Sequence, residues 1–97
     1  MINYPTILPA TSEFLRRPAK MLIGGQWINA SDGGTIDSID PATGATLTMF
    51  PAGTAEDADA SVRAARSAFP EWKRMSPQER GRLLFELALA VEKHEDE

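Results

Sequence analysis

No cysteine occurs in the 97 residues, and there is one histidine, His94. The first absence excludes a thiol nucleophile, a Cys-rich zinc site, an iron–sulfur cluster and a disulfide within this chain. The second excludes a His-His metal pair and leaves a Ser-His-Asp triad only a histidine almost at the C-terminus. Positive charge is scarce too: ten Lys and Arg stand against fourteen Asp and Glu, a formal net charge of -4. Phosphate-backbone binders gather Lys and Arg on one face, so no nucleic-acid partner is expected. Long apolar runs are missing. The longest near-apolar run, residues 83–91, falls far short of the ~20 residues that cross a bilayer, so no membrane partner is expected either. The N-terminus has no charged start followed by an apolar stretch, which argues against a secretory signal and for a cytoplasmic location.

A hydrophobic fraction of 42% with 25% charged residues is ordinary for a soluble globular protein. A chain this short buries roughly 60–65% of its extended surface, so any core is thin. Residues 1–20 read as an extended N-terminal arm, interrupted by Pro5, Pro9 and Pro18 and locally basic at Arg16, Arg17 and Lys20. Phe14 and Leu15 are the pair through which such an arm would dock.

Regular structure is expected from Met21. Residues 21–23 and Trp27-Ile28 are short β-type runs around Gly24-Gly25-Gln26, and a glycine pair between apolar runs is a hairpin signal because primed turns need positive φ. Residues 29–34 form a loop, and 35–39 a third β candidate. Asp40-Pro41-Ala42-Thr43-Gly44 is a turn, with proline presetting φ. Residues 45–50 alternate, with Leu47 and Met49 on one face and Thr46, Thr48 and Phe50 on the other, and Pro51-Ala52-Gly53 ends the run.

The second half is helical in pattern. Thr54 and Asp57 have the spacing of a capping box, with Asp in place of the usual Glu. Ala55, Ala58, Val62, Ala65 and Phe69 then share one face, and Pro70 is expected to stop the helix. Ser76-Pro77-Gln78-Glu79 starts a second helix, expected to run from Pro77 to the chain end. Its apolar arc is too wide for a surface helix: Leu83, Leu84, Leu87, Ala88, Ala90 and Val91 cover one face, and Phe85 and Leu89 extend round the back. Four strands and two helices can cover one side only. Glu92, Glu95, Asp96 and Glu97 also crowd the negative end of the helix dipole, with no Gly or Asn to cap it. Both features predict a polypeptide that continues.

No catalytic constellation is visible. Gly24-Gly25 and Gly33-Gly34 lack phosphate-loop spacing, and neither pair precedes a helix. Asp32, Asp37 and Asp40 do not have calcium-loop spacing. His94 reads as a solvated surface residue, and Trp27 and Trp72 as packing rather than a stacking platform.

The order of short motifs nevertheless carries a resemblance. Ile23-Gly24-Gly25-Gln26-Trp27, then Asp40 to Gly44, then Ala55-Glu56-Asp57, then Ala64 to Phe69 with Trp72, then Glu79-Arg80 and Leu83-Leu84 resemble the N-terminal portion of the NAD(P)-dependent aldehyde dehydrogenases, over residues 21–97. The arm, with Phe14-Leu15 and Arg17-Pro18, is similar to that of some bacterial members acting on aromatic aldehydes. The resemblance implies an α/β parent in which residues 21–97 open the Rossmann-like coenzyme-binding domain, here a β-hairpin and short strands followed by two α-helices. It implies oxidation of an aldehyde to a carboxylic acid: a cysteine attacks the carbonyl, hydride passes to NAD or NADP, and water assisted by a glutamate releases the acid. It also implies an oxyanion held by an Asn side chain and a backbone N–H.

All those catalytic and cofactor-binding residues would follow Glu97, so none is expected in this chain, and no bound NAD or NADP is expected here. In some members a monovalent cation is held partly by backbone oxygens matching Ser38 and Ile39. The implied partner is the remainder of the fold, in a parent that is a homodimer or homotetramer. The leading expectation is therefore an inactive N-terminal portion of such an enzyme. The alternative is a stand-alone interaction module that binds a partner through its apolar second helix.

Overall fold

The computed structural model describes residues 8–95. In chain order it contains α1 (Pro9–Arg16), β1 (Met21–Ile23), β2 (Gln26–Ile28), β3 (Thr35–Ile39), β4 (Thr46–Pro51), α2 (Ala55–Arg74) and α3 (Pro77–Lys93). The expected hairpin, short strands and pair of long helices are all present. The strands form two separate antiparallel pairs, β1 with β2 and β3 with β4.

The arm departs from expectation, because residues 9–16 form a helix rather than an extended segment. Proline at the first helical position leaves no N–H wanting a partner, and Ala10, Glu13, Leu15 and Arg16 are good helix formers. Arg17, the residue before Pro18, is extended as proline requires, which ends the helix. Leu15 is half-buried, and its carbonyl accepts from the Thr48 hydroxyl at 3.1 Å, so α1 docks on the threonine face of β4. Pro5 and the other residues before Leu8 lie outside the described residues.

The β1–β2 turn is tighter than the sequence suggests. Gln26 belongs to β2 and pairs with Ile23, leaving the two-residue turn Gly24-Gly25 with φ of 60° and 77°. Positive φ at both central residues is the primed-turn geometry that matches strand twist. β3 and β4 run in register from Thr35 opposite Pro51 to Ser38 opposite Thr48, with a bulge between Ser38 and Ile39. β4 takes in Pro51 at its end, one residue past expectation, where a missing N–H is tolerated at a sheet edge.

Pro70 does not stop α2, which runs on to Arg74. Proline removes one bond to the carbonyl four residues back. Arg66 and Pro70 are both exposed here, so water can take the freed carbonyl. Helix α3 ends at Lys93, with His94 as C-cap in a right-handed conformation, so its end lacks the left-handed Gly or Asn cap as expected. Asp96 and Glu97 lie outside the described residues.

Burial is sparse. Ala30 is the one buried apolar residue among those described, at 6% exposure. The radius of gyration is 17.3 Å, against ~13 Å for a compact domain of this length. The elements are well formed, yet they enclose almost nothing.

Candidate functional site

Chemistry-bearing side chains do not converge. Among the described residues no three His, Cys, Asp or Glu come together to hold a metal ion. The aspartates of the first half shape turns instead. Asp32 Oδ1 accepts from the Gly34 N–H at 2.8 Å. Asp40 accepts from the Ala42 N–H and the Thr43 hydroxyl, both at 2.9 Å. Gly24-Gly25 and Gly33-Gly34 likewise sit in turns, and His94 lies on the exposed end of α3. No described helix is long and apolar enough to cross a membrane.

Ser38 and Ile39 fall on either side of the β3 bulge. Ser38 is half-buried and faces Thr48, while Ile39 is exposed and faces Thr46. A bulge interrupts the ladder locally and re-aims the backbone, which makes this the irregular point of β3. Asp40, the next residue, accepts within its own turn from the Ala42 N–H and the Thr43 hydroxyl.

One polar cluster ties distant segments together. Asp57 is buried, at 6% exposure, in the first turn of α2. Its Oδ2 accepts from the Thr54 N–H at 2.9 Å, the Thr54 hydroxyl at 3.1 Å and the Ser31 N–H at 3.1 Å. The Ser31 and Thr54 hydroxyls are 2.7 Å apart, and the Asp57 N–H donates to Thr54 Oγ1 at 3.2 Å. The capping box is therefore closed, as its spacing predicts, and shared with the loop after β2. The backbone N–H of Thr54 first, then that of Ser31, holds the Asp57 carboxyl below its ordinary value of 3.8. Sequence reasoning missed Ser31. The one available signal was Asp rather than Glu at the third helical position, a shorter acid that keeps its oxygens close to the backbone.

The remaining features are apolar and open. On α3, Leu84, Phe85, Leu87, Leu89 and Val91 are all at least half exposed, Phe85 at 65%. The sequence left one side of this helix for the strands to cover, and they cover neither; Leu83 is half-buried but its neighbours are not. On α2 the stripe containing Val62 and Phe69 is exposed as well, with Trp72 beyond it. A groove of about 470 Å³ lies between the end of α1 and the hairpin, walled by Phe14, Leu15, Trp27 and Thr48 with Arg17 and Lys20 beside it. Exposed apolar area on this scale marks surfaces that pack on something else.

Comparison with known proteins agrees with this incomplete architecture. Residues 27–97 match the model of the aldehyde dehydrogenase family. Phenylacetaldehyde dehydrogenase of Pseudomonas fluorescens is 47% identical over 92 residues, which is 93% of this chain and 18% of that protein. Aldehyde dehydrogenase [NAD(P)+] 1 of Saccharomyces cerevisiae is 36% identical over 90 residues, 92% of this chain and 18% of that one. The NAD+ complex of aldehyde dehydrogenase from Bacillus cereus superposes with a TM-score of 0.84 at 38% identity, covering 91% of this chain and 18% of that chain. The chain thus spans about a fifth of the length of the relatives it matches, in their N-terminal fold. On a match across residues 27–97, it belongs to the aldehyde dehydrogenase family.

Proposed function

We propose that this chain supplies the opening of the coenzyme-binding domain, residues 21–97, of an enzyme that oxidises an aldehyde to a carboxylic acid with NAD or NADP as hydride acceptor. Residues 1–20 are the arm that precedes it. The observation that carries the reading is the pairing of family membership with unpartnered apolar helices. Leu84, Phe85, Leu87 and Val91 of α3, with Val62 and Phe69 of α2, form the surface on which the remainder of the fold packs. Each large side chain so buried is worth roughly 1.5–3 kcal/mol, so together they exceed what this chain gains from its own sparse core. The parent acts in the cytoplasm as a homodimer or homotetramer. The carbonyls of Ser38 and Ile39, at the β3 bulge, are its contribution to a monovalent-cation site, completed by oxygens from elsewhere in the parent. The 47% identity to a phenylacetaldehyde dehydrogenase favours an arylacetaldehyde as substrate.

By itself the chain is inactive, because it holds no cysteine to attack the carbonyl. The test has two arms. The purified 97-residue chain, with NAD or NADP and phenylacetaldehyde, should give no cofactor reduction above background. Co-expressed with the Pseudomonas fluorescens enzyme lacking its matching segment, it should restore cofactor reduction. Turnover by the chain alone, or no rescue of a soluble partner, would overturn the reading. A second reading is favoured by the same exposed helix: an interaction module in which α3 docks on a separate protein. A monomeric, cooperatively melting chain that fails to rescue would favour it.

A further inference from the structure

Helix α2 rests on the hairpin with its less apolar side. The residues it turns inward are Asp57, buried, and Ala60 and Ala64, half-buried. A Cβ placed on Gly24 would lie 3.8 Å from the Ala64 Cβ, so the hairpin turn sits directly over that small residue. Ala58, Val62, Ala65 and Phe69 lie about 140° further round the helix at 100° per residue and are exposed, Val62 at 53% and Phe69 at 58%. Removal of apolar area from water alone would turn the helix the other way, setting Val62 and Phe69 against Leu22 and Ile23.

Within this chain, then, something other than apolar burial chooses the face; in the parent, packing of the Val62–Phe69 side on the remainder of the fold would act in the same sense. The inward side carries one strong directional group, the Asp57 carboxylate; its bond to the Thr54 N–H belongs to the helix's own cap, but its bond to the Ser31 N–H cannot survive a roll of that size. We propose that Asp57 sets the rotation of α2 about its axis, holding the Ala60–Ala64 side on the β1–β2 hairpin and keeping the Val62–Phe69 side turned away. Ser31 is the fixed point, since it follows β2 by three residues and is tied to Thr54 through both hydroxyls. Asp57 is thus a positioning residue whose role exceeds capping. Capping alone needs only the Thr54 partner.

The experiment is nuclear magnetic resonance on the 97-residue chain with Asp57→Ala and Asp57→Glu. In the unsubstituted chain, Gly24 Hα should show a cross-peak to the Ala64 methyl, and its absence would overturn the proposal at once. Asp57→Ala keeps the Thr54 hydroxyl as N-cap and a good helix former, so the helix persists. Its Gly24–Ala64 cross-peak should disappear while new ones join Leu22 or Ile23 to Val62 and the Phe69 ring. Retention of the original cross-peak at full intensity would mean that packing alone sets the face. Asp57→Glu keeps the local capping box with its usual acid. Residue 57 should stay protected at its amide while Ser31 exchanges about tenfold faster, a split that a purely local cap would not produce. Equal protection at Ser31 would also overturn the proposal.

Discussion

Helices α2 and α3 begin with the same device and end up in different situations. Each has a hydroxyl N-cap that accepts from the N–H three residues on, at 3.2 Å in both, and an acid at that position that accepts from the N-cap N–H. In α2 the acid is Asp57, buried and shared with Ser31. In α3 it is Glu79, exposed and bonded only to Ser76. Helix α2 rests on β1, whereas α3 packs on no strand to a comparable degree. A capping box satisfies a helix's own orphan N–H groups. It joins that helix to the rest of the protein only when one of its groups is also bonded from outside.

The sharpest way to break this comparison is the same substitution at both caps. Replacing an N-cap hydroxyl by alanine costs about 0.5–2 kcal/mol. Thr54→Ala removes the cap and also the hydroxyl contact to Ser31, so it should lie near the top, ~2 kcal/mol. Ser76→Ala, with no partner outside its box, should lie near the bottom, ~0.5 kcal/mol. Urea unfolding followed by helix circular dichroism measures both, and equal losses would erase the distinction between shared and local caps. Next in size is Gly24→Ala. The added Cβ meets the Ala64 Cβ at an ordinary 3.8 Å, so space is not the obstacle. The φ of 60° is the obstacle, at about 1–2 kcal/mol for a residue with a Cβ. If the melt of this variant matches that of the unsubstituted chain, the turn does not hold residue 24 at positive φ.

Acid should separate the two boxes without any mutation. Backbone N–H donors pull both carboxyls down, Asp57 below 3.8 through Thr54 and then Ser31, and Glu79 below 4.5 through Ser76. A carboxyl with a lowered folded value stabilises the fold fully above its unfolded value, and that contribution is lost as pH falls through the folded one. Both losses should therefore fall on the acid side of pH 4–5. They should differ in reach. Protonating Glu79 should move amide signals only in the first turn of α3, whereas protonating Asp57 should also move Ser31, 26 residues away. A pH titration of amide shifts reads this directly, and a silent Ser31 would confine Asp57 to its own helix.

Much of the architecture was legible because it is local. The Gly-Gly turn, both capping boxes and the wide apolar arc of α3 follow from neighbours in the chain. The misreadings share a cause. Three prolines made residues 1–20 look extended, but Pro9 at a first helical position starts α1. Pro70 looked like a stop, but on an exposed face water can take the carbonyl it frees. In each case the meaning of the proline depended on its place in the helix and its exposure, which residue type alone does not carry. The α2 stripe was legible as apolar, but which side of α2 meets the hairpin was not, since the Asp57–Ser31 bond spans a loop that no periodicity can see. Ser38 and Ile39 were visible as strand residues, while the bulge between them depends on the pairing register.

The smallest effect tests the exposed end of the comparison. Arg82 and Glu86 form an ion pair at 2.6 Å, one turn apart on α3, with both side chains more than half exposed. Exposed pairs at this spacing contribute about 0.3–0.5 kcal/mol, because water screens the charges and two long side chains must be held still. Arg82→Ala also introduces the best helix former, which offsets part of the loss. The net change should therefore lie within ~0.5 kcal/mol in low salt and vanish in high salt, as Debye screening requires. A larger, salt-insensitive loss would mean that Arg82 is buried against another surface in solution. Helix α3 would then be partnered after all, and the contrast with α2 would belong to what covers each helix rather than to how each begins.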